Sequence, residues 1–235
     1  MRKRNLQRIW MGGENKSCFV EFTNGEKAVF KPANGEEVFT NAIPHTFYKR
    51  ERAAYLVDLF LDLHIVPPTV IKEIDEEIGS VQQFVPDTVA YYDIEYDENK
   101  KNEREEKSFR EQMKTLWIFD LFIHNNDRHQ GNLLCSKTDK KLSIHAIDNG
   151  CSFSENDFCF CTNEFFEEDL PDDLVGKIER FLEDEESQRI LRDLLNELLP
   201  EKEVEAFFER VKKIGNMIVK NNRLFSSDEY QIKSF

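Results

Sequence analysis

The sequence predicts an α+β chain of two lobes, a β-rich N-terminal part and a mainly helical C-terminal part carrying one β-hairpin. Three observations predict it. Short apolar runs of strand character alternate with turn residues over the first 92 residues. A charged stretch with little apolar content, 93–107, follows them. Helical periodicity then dominates, interrupted by one pair of strands. The expected domains are an N-lobe over 1–92, a charged linker over 93–107 and a C-lobe over 108–235.

Residues 18–23 and 26–31 flank Asn24-Gly25, a dipeptide that favours a type I′ hairpin turn. In the second strand Lys27, Val29 and Lys31 share one face, so Lys31 projects at the far end of the hairpin. Residues 46–64 read as a helix with an apolar stripe at Ala54, Val57, Phe60 and Leu61, and with Thr46 as its cap. Val66-Pro67-Pro68 ends it, and 69–72 and 80–85 read as two further strands around an acidic turn. Ser108 and Glu111 have capping-box spacing and open a helix that runs through Met113, Leu116, Trp117, Phe119, Leu121 and Phe122 to Asn125. The second hairpin follows, 132–135 with 142–147. From Leu174 the chain is mostly helical, and 203–219 is its clearest amphipathic run.

The chemistry sits where these elements end. A strongly apolar helix delivers Asn126-Asp127-Arg128-His129-Gln130-Gly131-Asn132, and a strand delivers Ala146-Ile147-Asp148-Asn149-Gly150. An acid, an Asn five positions later and a second Asp opening a Gly-ended turn form the carboxylate-and-amide arrangement of phosphoryl transfer. Asp127 would orient the attacking hydroxyl and take its proton. Asn132 and Asp148 offer oxygen donors suited to magnesium on the phosphates of ATP. The blander reading is a helix end capped by Asn125 and Asn126 and followed by a polar turn. It leaves the acidic turn at Asp148 unexplained.

Composition bounds the partners. The chain has 32 Lys and Arg against 46 Asp and Glu, a formal charge of −14. Nucleic acid, whose phosphates need a basic footprint, is excluded as an expected partner. Attachment to anionic membranes is disfavoured, and no window reaches the apolar length of a membrane span. The N-terminus lacks a secretion signal, because polar residues interrupt Leu6, Ile9 and Trp10. Arg2, Lys3, Arg4 and Arg8 read as a solvated terminus. Five scattered cysteines fit reduced thiols in a cytoplasm, and Cys159-Phe160-Cys161 is too closely spaced for a zinc pair.

Four blocks in order resemble the atypical, phosphatidylinositol 3/4-kinase-like kinases, particularly the small bacterial members and the type II phosphatidylinositol 4-kinases. They are 12–22 with Ala28-Val29-Phe30-Lys31-Pro32, then 50–70, then 79–85, then the two acidic motifs. In the tail, Leu170-Pro171 and Glu203-Val204-Glu205-Ala206 are similar to the bacterial members too, so the likeness spans nearly the whole chain. The chain is also similar to Fam20-type and HipA-like kinases. The resemblance implies a two-lobed atypical kinase fold that uses ATP and magnesium.

It also implies roles. Lys31, catalytic together with Asp127, pairs with the α- and β-phosphates and is positioned by an acid on the following helix, Glu51; Glu36 and Glu37 are its rivals. A lone lysine would leave the cleft hydrated, whereas a carboxylate partner fixes its ammonium. Gly12-Gly13-Glu14-Asn15-Lys16-Ser17 covers the phosphates, with Ser17 and nearby N–H groups as donors. Gln82-Gln83-Phe84-Val85-Pro86 matches the hinge, where backbone groups of Phe84 or Val85 bond the adenine edge. Asn132 and Asp148 hold the metal, His129 is auxiliary, and Arg128 braces the loop.

Two departures qualify this. Asp148-Asn149-Gly150 replaces D-F-G, so the aromatic flip of ordinary protein kinases is not expected. The segment 151–173 carries Glu155, Asp157, Glu164, Glu167, Glu168, Asp169, Asp172 and Asp173 with no Lys or Arg, and would repel an anionic lipid headgroup. The expected function is a Mg-ATP-dependent kinase transferring the γ-phosphoryl group to a hydroxyl, on a protein acceptor with a neutral or basic surface. The alternatives are a phosphatidylinositol or small-molecule kinase, a nucleotide-binding pseudokinase scaffold, and nucleotidyl transfer with ATP reversed. A metal hydrolase built on His124, Asp127, His129, His145 and Asp148 is a further one, and it leaves the Lys31 block unexplained.

Overall fold

The computed structural model describes residues 7–11, 16–36, 46–95, 107–138, 141–155 and 165–224. Its N-terminal sheet contains β1 (Gln7–Met11), β2 (Ser17–Glu21), β3 (Lys27–Pro32), β4 (Thr69–Ile74) and β5 (Glu77–Gln83). The strands are antiparallel in the order β1-β2-β3-β5-β4. Alternation along β2 and β3 puts Cys18, Val20, Ala28 and Phe30 on one face, where Ile74 and Val81 join them in a small core. Lys31 falls on the other face, the one that α1 (Phe47–Phe60) approaches.

The turns distribute differently from the sequence expectation. At the first hairpin only Gly25 is left-handed, at φ 83°. Gly25 N–H bonds Phe22 C=O, and Phe22 N–H bonds Glu26 C=O. This is a three-residue loop closed by a left-handed glycine, not the type I′ turn expected at Asn24-Gly25. The two-residue turn with both positions left-handed occurs instead at Asp75 (φ 51°) and Glu76 (φ 69°), joining β4 to β5. Register decides this: Ile74 pairs directly with Glu77, so only two residues remain to reverse the chain.

Helix α1 begins one residue after Thr46, as expected, but the Thr46 side chain forms no capping bond. The carboxylate of Glu36 accepts from Tyr48 N–H instead. At its other end Asp62 is left-handed, with Leu63 N–H bonding Asp58 C=O and Asp62 N–H bonding Leu59 C=O. This double bond pattern satisfies the last carbonyls and stops the helix. The buried side of α1, with Ala53, Ala54, Leu56 and Val57, belongs to the large core of the C-terminal part rather than to the small core of the sheet.

That second part begins with β6 (Thr88–Ala90) and the short α2 (Tyr91–Glu95). Of the charged linker, 96–106 lie outside the described residues. The helix α3 (Lys107–Ile123) already contains Ser108 within its first turn, so Ser108 is not the cap of the expected capping box. Strands β7 (Leu133–Thr138) and β8 (Lys141–Ala146) form the expected hairpin, and β6 adds to it as a third strand. Helices α4 (Asp172–Glu183), α5 (Glu185–Asn196) and α6 (Glu201–Asn221) close the lobe. The fold is the two-lobed α+β architecture expected. Among the described residues no helix is long and apolar enough to cross a membrane.

Candidate active site

Three elements bring the expected charges together. The ammonium of Lys31, at the end of β3, lies 2.5 Å from Glu51 Oε1 on α1 and 2.9 Å from Asp148 Oδ1 after β8. Glu51 is therefore the helix acid that fixes Lys31. Its rival Glu36 is engaged in capping α1, and Glu37 lies outside the described residues. The second oxygen of Glu51 accepts from Asn149 N–H at 3.1 Å, so one carboxylate holds both the lysine and the turn that follows Asp148. Burial alone would lower the Lys31 ammonium, but the carboxylates of Asp148 and Glu51 outweigh it and raise it well above the lysine range. Lys31 in turn holds the Asp148 carboxyl below its ordinary range, against the effect of burial.

The loop after α3 is built from its cap outward. His124, left-handed at φ 53°, donates its N–H to Leu121 C=O, and Asn125 N–H bonds Asp120 C=O. The helix thus ends on His124, one residue before the caps expected at Asn125 and Asn126. Asn125 Oδ1 then accepts from Asp127 N–H, and Asp127 C=O accepts from His129 N–H and from Asn132 Nδ2. The backbone of Asp127 is pinned on both sides, while its carboxylate is exposed and has no partner among the described residues. Asn132 is buried; its amide nitrogen is engaged, so Oδ1 is the group available to a cation. His129 Nδ1 accepts from Gly131 N–H, which shapes the 3-10 turn leading to Asn132.

Arg128 braces this loop, as the sequence suggested. Its guanidinium contacts Asp120 on α3 with two nitrogens, at 2.9 and 3.1 Å. It also donates to the carbonyls of Asn132 and Ile147, both at 2.7 Å, and to Asn149 Oδ1 at 2.5 Å. The carbonyls flank both expected metal ligands. Asp148 itself is left-handed, at φ 56°, a conformation that a non-glycine residue holds only when its surroundings enforce it. Asn149 is fully buried and bonded through its N–H, its Oδ1 and its own carbonyl, which accepts from Ser152 Oγ. The D-F-G aromatic is thus replaced by a polar anchor.

Other expectations land less directly. Lys16, not Ser17, lines the small cavity beside Lys31, together with Gly35, Glu36, Phe47, Tyr48, Glu51 and Asp148. Gly12 to Asn15 lie outside the described residues. Phe84 N–H is bonded to Lys27 C=O, so of the two hinge residues Val85 retains an N–H without a partner among the described residues. Phe84 and Val85 line a separate cavity of about 350 Å³ near the C-terminal end of α1, with Tyr55, Leu59 and Pro67.

Several acids of 151–173 are engaged within the chain. Glu168 bonds Arg110 and Lys114, Asp169 bonds Arg223, and Asp173 bonds Lys177. Glu168 ties the segment to α3 and Asp169 ties it to Arg223 just beyond α6, while Asp173 and Lys177 pair within α4. Asp157, Glu164, Cys159 and Cys161 lie outside the described residues.

For magnesium the donor set fits. Asp148 and Asn132 Oδ1 are hard oxygen donors on adjoining backbone, since Ile147 N–H bonds Asn132 C=O. Two such ligands suit an ion that keeps its other positions for phosphate and water. Among the described residues no group of three or more His, Cys, Asp and Glu could hold a metal. His145 is bonded to Ser136 Oγ and His124 is buried at the helix end, so these histidines assemble no hydrolase centre.

The profile of the phosphatidylinositol 3- and 4-kinase family matches residues 40–202, more than two thirds of the chain. The chain belongs to that family. The match includes Glu51, Asp127, Asn132 and Asp148, whereas Lys31 precedes it, so the place of Lys31 rests on its two ion pairs. Protein Rv2133c of Mycobacterium tuberculosis is 27% identical; the alignment covers 60% of this chain and 61% of that protein, about three fifths of the relative's length. The fold is that of the Helicobacter pylori proinflammatory kinase CtkA (TM-score 0.66, 14% identity, 93% of this chain and 96% of that one). It is also that of the Golgi casein kinase (TM-score 0.63, 16% identity, 93% and 73%) and of hydra Fam20 (TM-score 0.62, 14% identity, 95% and 86%).

Proposed function

We propose that the protein is a Mg-ATP-dependent kinase that transfers the γ-phosphoryl group to a hydroxyl, with a protein as acceptor. The observation that carries this is Lys31 held between Glu51 and Asp148, beside a loop whose Asp127 carboxylate has no partner among the described residues. In this reading Lys31 meets phosphate charge, and Val85 N–H is the hinge donor to adenine. Asn132 Oδ1 and Asp148 hold magnesium, which supplies charge neutralisation on the phosphates when bound. Asp127 holds the acceptor hydroxyl and takes its proton as the acceptor oxygen bonds the γ-phosphorus and the bond to the bridging oxygen of ADP breaks.

The fold likeness to the Golgi casein kinase supports a protein acceptor, and one solved structure of that kinase carries Mn and ADP. The internal pairing of Glu168, Asp169 and Asp173 removes them from the charge argument against a phosphoinositide. Exposed Glu155, Glu167 and Asp172 remain on that side. A phosphatidylinositol acceptor is therefore the second reading, favoured by the family itself. The scattered cysteines, with Cys18 and Cys135 buried, are in keeping with a reducing cytoplasmic setting.

The test is the thermal midpoint under MgATP titration, with Asp148→Ala in parallel. At a hundredfold excess over Kd, binding adds about 2.7 kcal/mol, an upward shift of a few degrees. A magnesium-dependent shift lost in Asp148→Ala supports the reading, and intact mass then separates transfer of phosphate from transfer of AMP. No shift at millimolar MgATP removes it.

A further inference from the structure

Arg50 and Glu51 are adjacent on α1 and reach different partners. Glu51 holds Lys31 and Asn149 N–H. Arg50, only 2% exposed, donates to Ser152 C=O and lies 2.7 Å from Glu203 Oε1 in the first turn of α6. Seven residues along the same helix, two turns on and so on the same face, Arg210 donates to Ser154 C=O at 3.0 Å and to Phe122 C=O at 3.2 Å. Helix α6 therefore meets the run after the Asp148 turn directly at Ser154, α3 at Phe122 and α1 at Arg50, and Arg50 itself holds Ser152 of that run. Apolar packing runs the same way: Ala53, Ala54 and Val57 of α1 share one core with Val204, Phe207 and Val211 of α6.

Arg50 Nε and Glu203 Oε2 are buried with no hydrogen-bond partner among the described residues. A buried pair so incompletely satisfied is a weak source of stability, because desolvation of both charges opposes their attraction. What it supplies is geometry.

We infer that Glu203 is a positioning residue for the phosphoryl-transfer site: through Arg50 it fixes the register of α1, and so the Glu51 carboxylate that orients Lys31. Neither Arg50 nor Glu203 is among the groups assigned to nucleotide or metal, and the inference rests on the kinase reading above.

The test measures the MgATP Kd of the full chain by calorimetry in wild type, Glu203→Gln, Glu51→Gln and the double variant, with the nucleotide-free thermal midpoint alongside. Glu203→Gln should weaken MgATP roughly tenfold, and the same change should have no further effect once Glu51 is Gln. Glu203→Asp, which keeps the charge, should recover most of the affinity. If Glu203→Gln does not fold, Arg50→Lys carries the same comparison. Unchanged affinity in Glu203→Gln, or an equal loss in both backgrounds, overturns the inference alone. A wild-type chain that binds no MgATP overturns it together with the kinase reading.

Discussion

Arg128 donates to Asn149 Oδ1 at 2.5 Å, joining the loop after α3 to the residue after Asp148. With Asp120, Asn132 and Ile147 on its other nitrogens, this one guanidinium sets the separation of Asn132 from Asp148. Misplacement of reacting groups by about 1 Å lowers rates on the order of 100-fold, and opening a buried ion pair costs about 3–5 kcal/mol. Arg128→Met should therefore lower both kcat and the thermal midpoint. Arg128→Lys should keep a folded chain yet lose most of the rate, because one ammonium cannot reach five acceptors. Steady-state rates beside melting curves check this, and a fully active Arg128→Lys would refute it.

Asp127 should separate binding from chemistry. Its backbone is pinned and its carboxylate has no partner among the described residues, so Asp127→Asn leaves the loop intact. The expected outcome is a kcat lower by roughly 10²- to 10⁴-fold with an unchanged MgATP thermal shift. Loss of the shift together with the rate would mean that Asp127 serves structure or nucleotide binding instead.

Gly79 on β5 permits the close approach of β3. A Cβ there would lie 2.2 Å from Lys31 C=O and 2.7 Å from the Phe30 ring. Backbone cannot yield as a flexible side chain does, so Gly79→Ala should destabilise the chain by about 1–3 kcal/mol. The strand must shift, and Lys31 with it, so MgATP affinity should fall as well. Melting and calorimetry on the same preparation test both halves.

Asp58, which lines the cavity that Phe84 and Val85 also line, offers a pH signature of its own. It is 1% exposed and accepts from Ile65 N–H at 2.9 Å, and burial pushes its carboxyl up to about 6. A folded-state value above the unfolded one means that the native state binds the extra proton, so this group's contribution falls as pH rises from about 4 through 6. Relative to Asp58→Asn, wild type should lose up to roughly 3 kcal/mol between pH 4 and pH 7. A stability difference between the two that stays flat with pH would show that Asp58 titrates normally.

The candidate site was legible in the sequence where chemistry imposes residue types at short spacing. Asp127, Asn132 and Asp148 lie on one loop and the end of one hairpin, and the strand alternation that aims Lys31 is a local property. Glu51 could be chosen over Glu36 only by position on a helix, and the structure adds why: Glu36 caps that helix. What stayed hidden is non-local. The Arg50–Glu203 pair spans 153 residues, and three-residue β6 is too short to show a period. Turn type was misread because the dipeptide rule ignores register. Asn24-Gly25 carries the favoured residues, but the pairing leaves Asp75-Glu76 the two-residue loop. The neutralisation of Glu168 by Arg110 and Lys114 was equally invisible, since both cations precede it by more than fifty positions.

Helix α1 lies in the N-terminal half of the chain but takes its apolar surroundings from the other half. A fragment ending at residue 95 would offer Ala53, Leu56 and Val57 to water, together with an Arg50 stripped of its acceptors. The two lobes are therefore not interchangeable cassettes. A hybrid that grafted this sheet and helix onto a relative's C-terminal half would have to import α6 as well.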